Sequence, residues 1–136
     1  MVYEDFIKRE IDRLGLAIKN LIVKILNLRN DPPLVFEAID KFVIDNLDIN
    51  INEIISLTND KFKDWLKSEK RLNNSNLDQF TELLLVVAEN SDETNVRKSL
   101  YEKCLIIYEF LNKNEDVYSW ERHLKEEDVN NKLSVL

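Results

Sequence analysis

His123 and Cys104 are the only histidine and the only cysteine in the 136-residue chain. The residue types that most often act as nucleophiles or metal ligands therefore occur once each. A structural zinc site or a Cys/His nucleophile pair would have to be completed by carboxylates. Cys104 shares an apolar stripe with Leu100, Ile107 and Leu111, which reads as a small core residue. A reactive thiol needs an electropositive, partly open setting instead. His123, beside Glu121 and Arg122, reads as a surface residue, with pH sensing or ligand binding as the sharper alternative.

Carboxylates are numerous, but Asp40 with Asp45, or Glu126 with Glu127 and Asp128, lack the apolar enclosure that tunes a catalytic acid. One glycine in the whole chain leaves no Gly-rich loop to cradle a phosphate. Lys61, Lys63, Lys67, Lys70 and Arg71, interleaved with Phe62 and Trp65, have the composition of a nucleic-acid-binding patch. Phe62, Trp65 and Leu66 share one helical face, however, and that pattern reads as core with the lysines on the solvated back. The expectation is a protein that is not an enzyme and uses no cofactor, no metal and no nucleic acid.

Whatever function exists must then rest on surfaces, and surfaces are set by the elements beneath them. With one Gly, two Pro and 44% hydrophobic residues, the composition favours helices over sheet folds, which need glycine at turns and bulges. The length fits one domain with a proper core. Ile7, Ile11, Leu14, Ile18, Leu21, Ile25 and Leu28 alternate at spacings of four and three. They predict a first helix from about Tyr3 to Arg29, roughly 40 Å long. That exceeds what a compact domain of this size needs, and it suggests a homodimer through the first helix.

Asp31 followed by Pro32 and Pro33 predicts a cap and the start of a second helix ending near Asn46. A connector over Leu47–Ile51 and a third helix from about Asn52 to Glu69 follow, with Asn59-Asp60 able to split the latter. Arg71 to Asn76 reads as a loop, Leu77 to Glu89 as a fourth helix, and Asp92 as a cap for the fifth. Ser119 caps a short sixth helix that fades around Asp128. The expected fold is thus all-α: five to six antiparallel helices in one bundle spanning residues 1–128, with 129–136 a frayed tail.

Net charge is −7, against non-specific nucleic-acid binding. Charge is unevenly spread: residues 1–30 carry six basic and four acidic groups, and residues 31–60 one basic and seven acidic. Helices of opposite charge lying side by side account for this simply. A sharper reading is an acidic patch around Asp40, Asp45, Asp48 and Glu53 that meets a basic partner. The first residues, Met1 to Asp12, lack the apolar stretch of a signal peptide. The longest apolar run is Leu83 to Ala88, far short of a membrane span. A cytoplasmic protein, with no membrane association, is expected.

The opening Asp5-Phe6-Ile7-Lys8-Arg9-Glu10-Ile11 fits a D-[FY]-I-x-R-x-I pattern. Near the other end, Tyr118-Ser119-Trp120-Glu121-Arg122 follows a helical pair ending Tyr101-Glu102-Lys103-Cys104-Leu105. Together these resemble a family of short, uncharacterised all-helical proteins from Gram-positive bacteria. The resemblance implies a tetratricopeptide-like hairpin for the C-terminal pair of helices, with Ala88 and Cys104 as the small residues at their crossing. It implies no activity. Asp5, Arg9, Tyr118 and Arg122 carry the resemblance and are polar; they read first as structural, with Arg9 or Arg122 making a charge-assisted bond that fixes one helix against another, and as candidate interaction residues beside Asp45 and Asp48 in the alternative. The functional expectation is a helical protein–protein interaction or scaffold module with an unidentified protein partner. The alternative is an acidic inhibitor or immunity-type protein that neutralises a basic partner.

Overall fold

The computed structural model describes residues 2–136; Met1, the first residue of the expected domain, lies outside them. Seven α-helices organise the described residues, and no strand occurs among them: α1 (Val2–Leu28), α2 (Pro32–Leu47), α3 (Ile51–Ser56), α4 (Asn59–Ser68), α5 (Asn74–Glu89), α6 (Thr94–Asn114) and α7 (Trp120–Ser134). None of these helices is long and apolar enough to cross a membrane. At the centre lies α6, which packs most extensively on α5, then on α7, and also meets α4 and α3. Against α2 and α5, α1 closes the other side of the core.

Local chemistry explains most boundaries. Asp31 caps α2 by accepting from Leu34 N, with Pro32 in the first helical position. Asp48 then turns the chain in the left-handed region at φ 57°, a conformation that Asp tolerates better than most residues. The expected count of five to six helices is exceeded because the expected third helix is two. Asn50 and Glu53 form a reciprocal capping box at the start of α3, Leu57 leaves helical geometry, and Thr58 caps α4.

The break is held from outside by α6. The Lys103 ammonium donates to Leu57 O at 2.8 Å and to Ser99 Oγ at 2.9 Å, while Ser99 Oγ donates to Ile55 O at 2.7 Å. Side chains of α6 thus satisfy carbonyls that a helix end leaves without partners, and a cation sits where the α3 dipole is negative. Lys103 is only 2% exposed, and its burial draws the ammonium pKa below the ordinary lysine value.

Two further corrections follow from polar residues. The Asn- and Ser-rich segment expected as a loop to Asn76 contributes the first turn of α5: Asn73 caps it, accepting from Asn76 N at 2.9 Å. At the chain end, the expected fade at Asp128 and frayed tail do not occur, since α7 continues to Ser134 with Val129 buried. Lys132 holds this last turn by pairing with Glu89 at 2.7 Å and Asp128 at 3.0 Å.

Gly15, the chain's lone glycine, sits inside α1 where helix propensity alone disfavours it. Its place is explained by Asn76, buried at 4% exposure, whose Nδ2 donates to Ile11 O at 3.0 Å and Arg71 O at 3.2 Å. A Cβ on residue 15 would lie 2.8 Å from Asn76 Oδ1. The amide cannot swing away without losing those bonds, so this crossing of α1 and α5 requires hydrogen at that position.

Gly15→Ala is therefore expected to lower stability by about 1 kcal/mol, overpacking outweighing the propensity gain. In an Asn76→Ala background the obstacle is gone and the same change becomes neutral or stabilising; urea denaturation of the four proteins in the cycle measures this, and additive effects would refute it. A second prediction concerns Cys104, fully enclosed in the core, whose thiol burial pushes well above its ordinary value of 9.0. Above pH 9 the unfolded chain releases that proton while the folded chain keeps it, so stability is present below pH 9 and falls as pH rises. The slope is about 1.4 kcal/mol per pH unit for one such group. Removing the thiol by Cys104→Ala should flatten the decline between pH 9 and 10, read from urea midpoints across that range.

Candidate interaction surface at the α6–α7 corner

The six candidate residues fall in three places. Asp5 and Arg9 are exposed on the first turns of α1, and neither makes an ion pair among the described residues. Asp45 and Asp48 are exposed but internally engaged: Asp45 pairs with Lys41 at 3.0 Å, and Asp48 faces Arg71 at 3.7 Å. Other members of the expected acidic patch are occupied too. Asp40 accepts from Ile51 N at 2.8 Å, and Glu53 belongs to the capping box. Tyr118 and Arg122 lie at the turn from α6 into α7.

Arg122 is the anchor of that turn. Its guanidinium is 4% exposed and meets two carboxylates. Nε and Nη2 donate to Asp78 of α5 at 3.3 and 2.8 Å, and Nη1 and Nη2 donate to Glu115 at 3.0 and 3.2 Å. Paired forks of this kind combine charge with planar geometry that only arginine supplies. Hydrogen bonding to Asp78 raises the guanidinium pKa above its ordinary value, against the opposing effect of burial. Asn112 accepts from Nη1 at 3.4 Å and donates to Glu126 at 2.6 Å.

The anchor is the first rung of a ladder. Arg122, Lys125 and Lys132 on α7 pair in order with Asp78, Glu82 and Glu89 on α5, at 2.8, 2.8 and 2.7 Å. Because partner numbers rise together, α7 runs parallel to α5 and both flank α6. Ser119 completes the corner by capping α7 through Arg122 N.

What this scaffold presents is aromatic. Val117, Tyr118, Trp120 and Leu124 are 79%, 68%, 63% and 47% exposed. His123 lies between the rings, 5.9 Å from Tyr118 and 5.4 Å from Trp120 in stacked geometry, with Nε2 3.0 Å from Glu127 Oε1. Asp116, Glu121 and Glu127 stand exposed around them. Exposed apolar residues scattered singly are ordinary, whereas here four of them gather at one turn.

The remaining chemistry is dispersed. No three His, Cys, Asp or Glu side chains converge as metal ligands would, among the described residues. Phe62 and Leu66 are buried, and Trp65 stacks on Phe62 at 5.6 Å. The aromatic members of the basic α4 segment therefore face the core. Trp120 was the residue that sequence pattern left out of the candidates. Its adjacency to Tyr118 was visible, but its exposure depends on the helix phase that Ser119 and Arg122 impose.

No family model matches the chain, and neither a curated protein nor a solved structure shows significant similarity to it.

Arg122→Lys keeps a charge but removes one fork, and Arg122→Leu leaves Asp78 and Glu115 without their partner. Losses of about 1–2 and about 3 kcal/mol are expected, the partial exposure of both acids moderating the cost of breaking a buried pair. Thermal and urea unfolding check this; equal stability of Arg122→Leu and wild type would remove Arg122 from its anchoring role.

Proposed function

We propose that this chain is a non-enzymatic helical interaction module that docks a protein partner on the α6–α7 corner. One observation carries the reading: a buried Arg122 network rigidifies a turn whose outward side chains are Val117, Tyr118, Trp120 and Leu124. Rigid aromatic anchors give large contact area at small entropic cost, and Trp and Tyr dominate the energetics of known interfaces. The acidic rim of Asp116, Glu121 and Glu127 favours a partner whose contact segment is basic and carries apolar side chains. Exposed rings bordered by carboxylates also suit guanidinium and ammonium groups.

The tetratricopeptide-like reading of the C-terminal part finds support in α5 and α6, which are joined by a short link and pack along their lengths with Ala88 and Cys104 both buried. On this reading α7 acts as a capping helix, its ion-pair ladder replacing the apolar face that a further repeat would need. The inhibitor alternative places its contact at Asp45 and Asp48. Their internal partners weaken it; at the corner Glu121 and Glu127 are paired too, with Lys125 at 3.5 Å and His123 at 3.0 Å, so the rim adds a modest bias toward a basic partner through electrostatic steering.

Capture from lysate of the source cell with wild type and with a Tyr118→Ala/Trp120→Ala variant tests the proposal. A protein held by wild type should be lost by the variant, since truncating such anchors costs about 2 kcal/mol each, roughly 30-fold in Kd. Retention that weakens with salt but survives it fits apolar anchors with a charged rim. Identical capture by both proteins would overturn the corner as the contact surface, and loss only in an Asp45→Asn/Asp48→Asn variant would favour the inhibitor.

A further inference from the structure

The core is not closed where α2 begins and α5 turns into α6. There α2 packs only lightly on α3 and α5, and an open groove of ≈ 640 Å³ lies between them. Of the apolar side chains that line it, Val35 and Val87 are buried, and Phe36, Ile55 and Val96 are half-buried. These five come from α2, α3, α5 and α6. The volume falls within the range of small-molecule sites, which are concave and mainly apolar.

The polar groups at its mouth decide which ligand fits. Asp92 and Glu93, in the link from α5 to α6, are exposed and form no ion pair among the described residues. No lysine or arginine among those residues lines the groove. The end of α5 reaches the same mouth through Asn90, and its last turn carries no basic residue. The negative end of that helix therefore adds to the two carboxylates. An anion would find few donors at the neighbouring helix starts. Pro32 and Pro33 have no N–H, while Leu34 N and Ile51 N already donate to Asp31 and Asp40. The start of α6 has no side-chain cap, but the residue before its first turn is Glu93 itself, whose carboxylate repels an anion.

We infer that this groove binds a small organic amine, its apolar body on the five side chains and its ammonium group at Asp92 and Glu93. Burial of the body supplies most of the affinity, and the exposed carboxylates add selectivity by charge. The groove lies at the start of α6 and the aromatic corner beyond its end, roughly 30 Å apart along a 21-residue helix. Neither site depends on the other, and either can fail alone.

Two probes with the same apolar body and opposite charge test this by nuclear magnetic resonance titration of the full chain: 4-phenylbutylamine and 4-phenylbutyrate. The amine should shift the backbone amide signals of Ile55, Asn90 and Val96 and, at low salt, bind about fivefold more tightly than the butyrate. Asp92→Asn/Glu93→Gln should remove that preference with circular dichroism and urea midpoint unchanged. Val96→Trp, which fills the groove, should abolish binding of both probes, and Tyr118→Ala/Trp120→Ala should leave it unaltered. A lysine side chain of a protein carries the same ammonium chemistry, so the blocked tripeptide acetyl-Leu-Lys-Leu-amide is the third probe. Equal binding of amine and butyrate, no shifts in the groove, shifts confined to the Tyr118 and Trp120 corner, or tighter binding of the tripeptide than of the amine would overturn the inference.

Discussion

A guanidinium withdrawn from water must be surrounded by acceptors, and the position of Arg122 is the constraint that orders the C-terminal half of the molecule. Its forks reach Asp78 on α5 and Glu115 at the end of α6, so α5 is held to the turn between α6 and α7 at one point. From there Lys125 and Lys132 fall into register with Glu82 and Glu89. The outer rungs, partly exposed, contribute little energy singly. Their value is directional, because a helix as polar as α7 has only Val129 and Arg122 buried and would otherwise slide.

The same division of labour recurs elsewhere. Apolar side chains make the core favourable, and a few polar groups decide which helix crosses which and where. Asn76 against Gly15 sets the crossing of α1 and α5. Lys103 and Ser99 hold the end of α3, so that α3 and α4 meet α6 as two short pieces instead of one long helix. A hydrophobic seam tolerates a shift of one turn with modest loss, whereas a buried amide or ammonium does not.

That asymmetry explains what could be read in advance. The helical class and the seam of α1 rest on composition and periodicity, and the caps at Asp31 and Ser119 on local chemistry, so all were legible. The split of the third helix was legible as an option at Asn59-Asp60, beside the break at Leu57 and Thr58; the start of α5 and the length of α7 were not, because Asn76 and Lys132 find their partners, Ile11 O and Glu89, far away in sequence. Asn73 and Asn76 have the composition of a loop until one caps the helix and the other bonds to Ile11 O. The candidate site divides likewise. Tyr118 and Arg122, four residues apart, flank the start of α7, one exposed and the other buried. Asp45 and Asp48 are exposed, and Lys41 and Arg71 lie against them at 3.0 and 3.7 Å, which the sequence pattern did not show.

Internal pairing of this kind also limits what can serve recognition. Much of the formal charge sits in i,i+4 pairs or in the α5–α7 ladder, where it orients helices and offers a partner little unless those pairs are broken. Aromatic and aliphatic groups on stiff backbone carry no such prior engagement. At the corner, Tyr118 and Trp120 are 68% and 63% exposed, and their ring contacts with His123 leave most of each surface in water. Burying them costs little desolvation and returns apolar area directly. The acids around them act at longer range, where they bias encounter more than they add affinity. The selectivity of such a surface follows from shape and apolar content first and from charge second, the reverse of what a pI of 4.8 alone suggests.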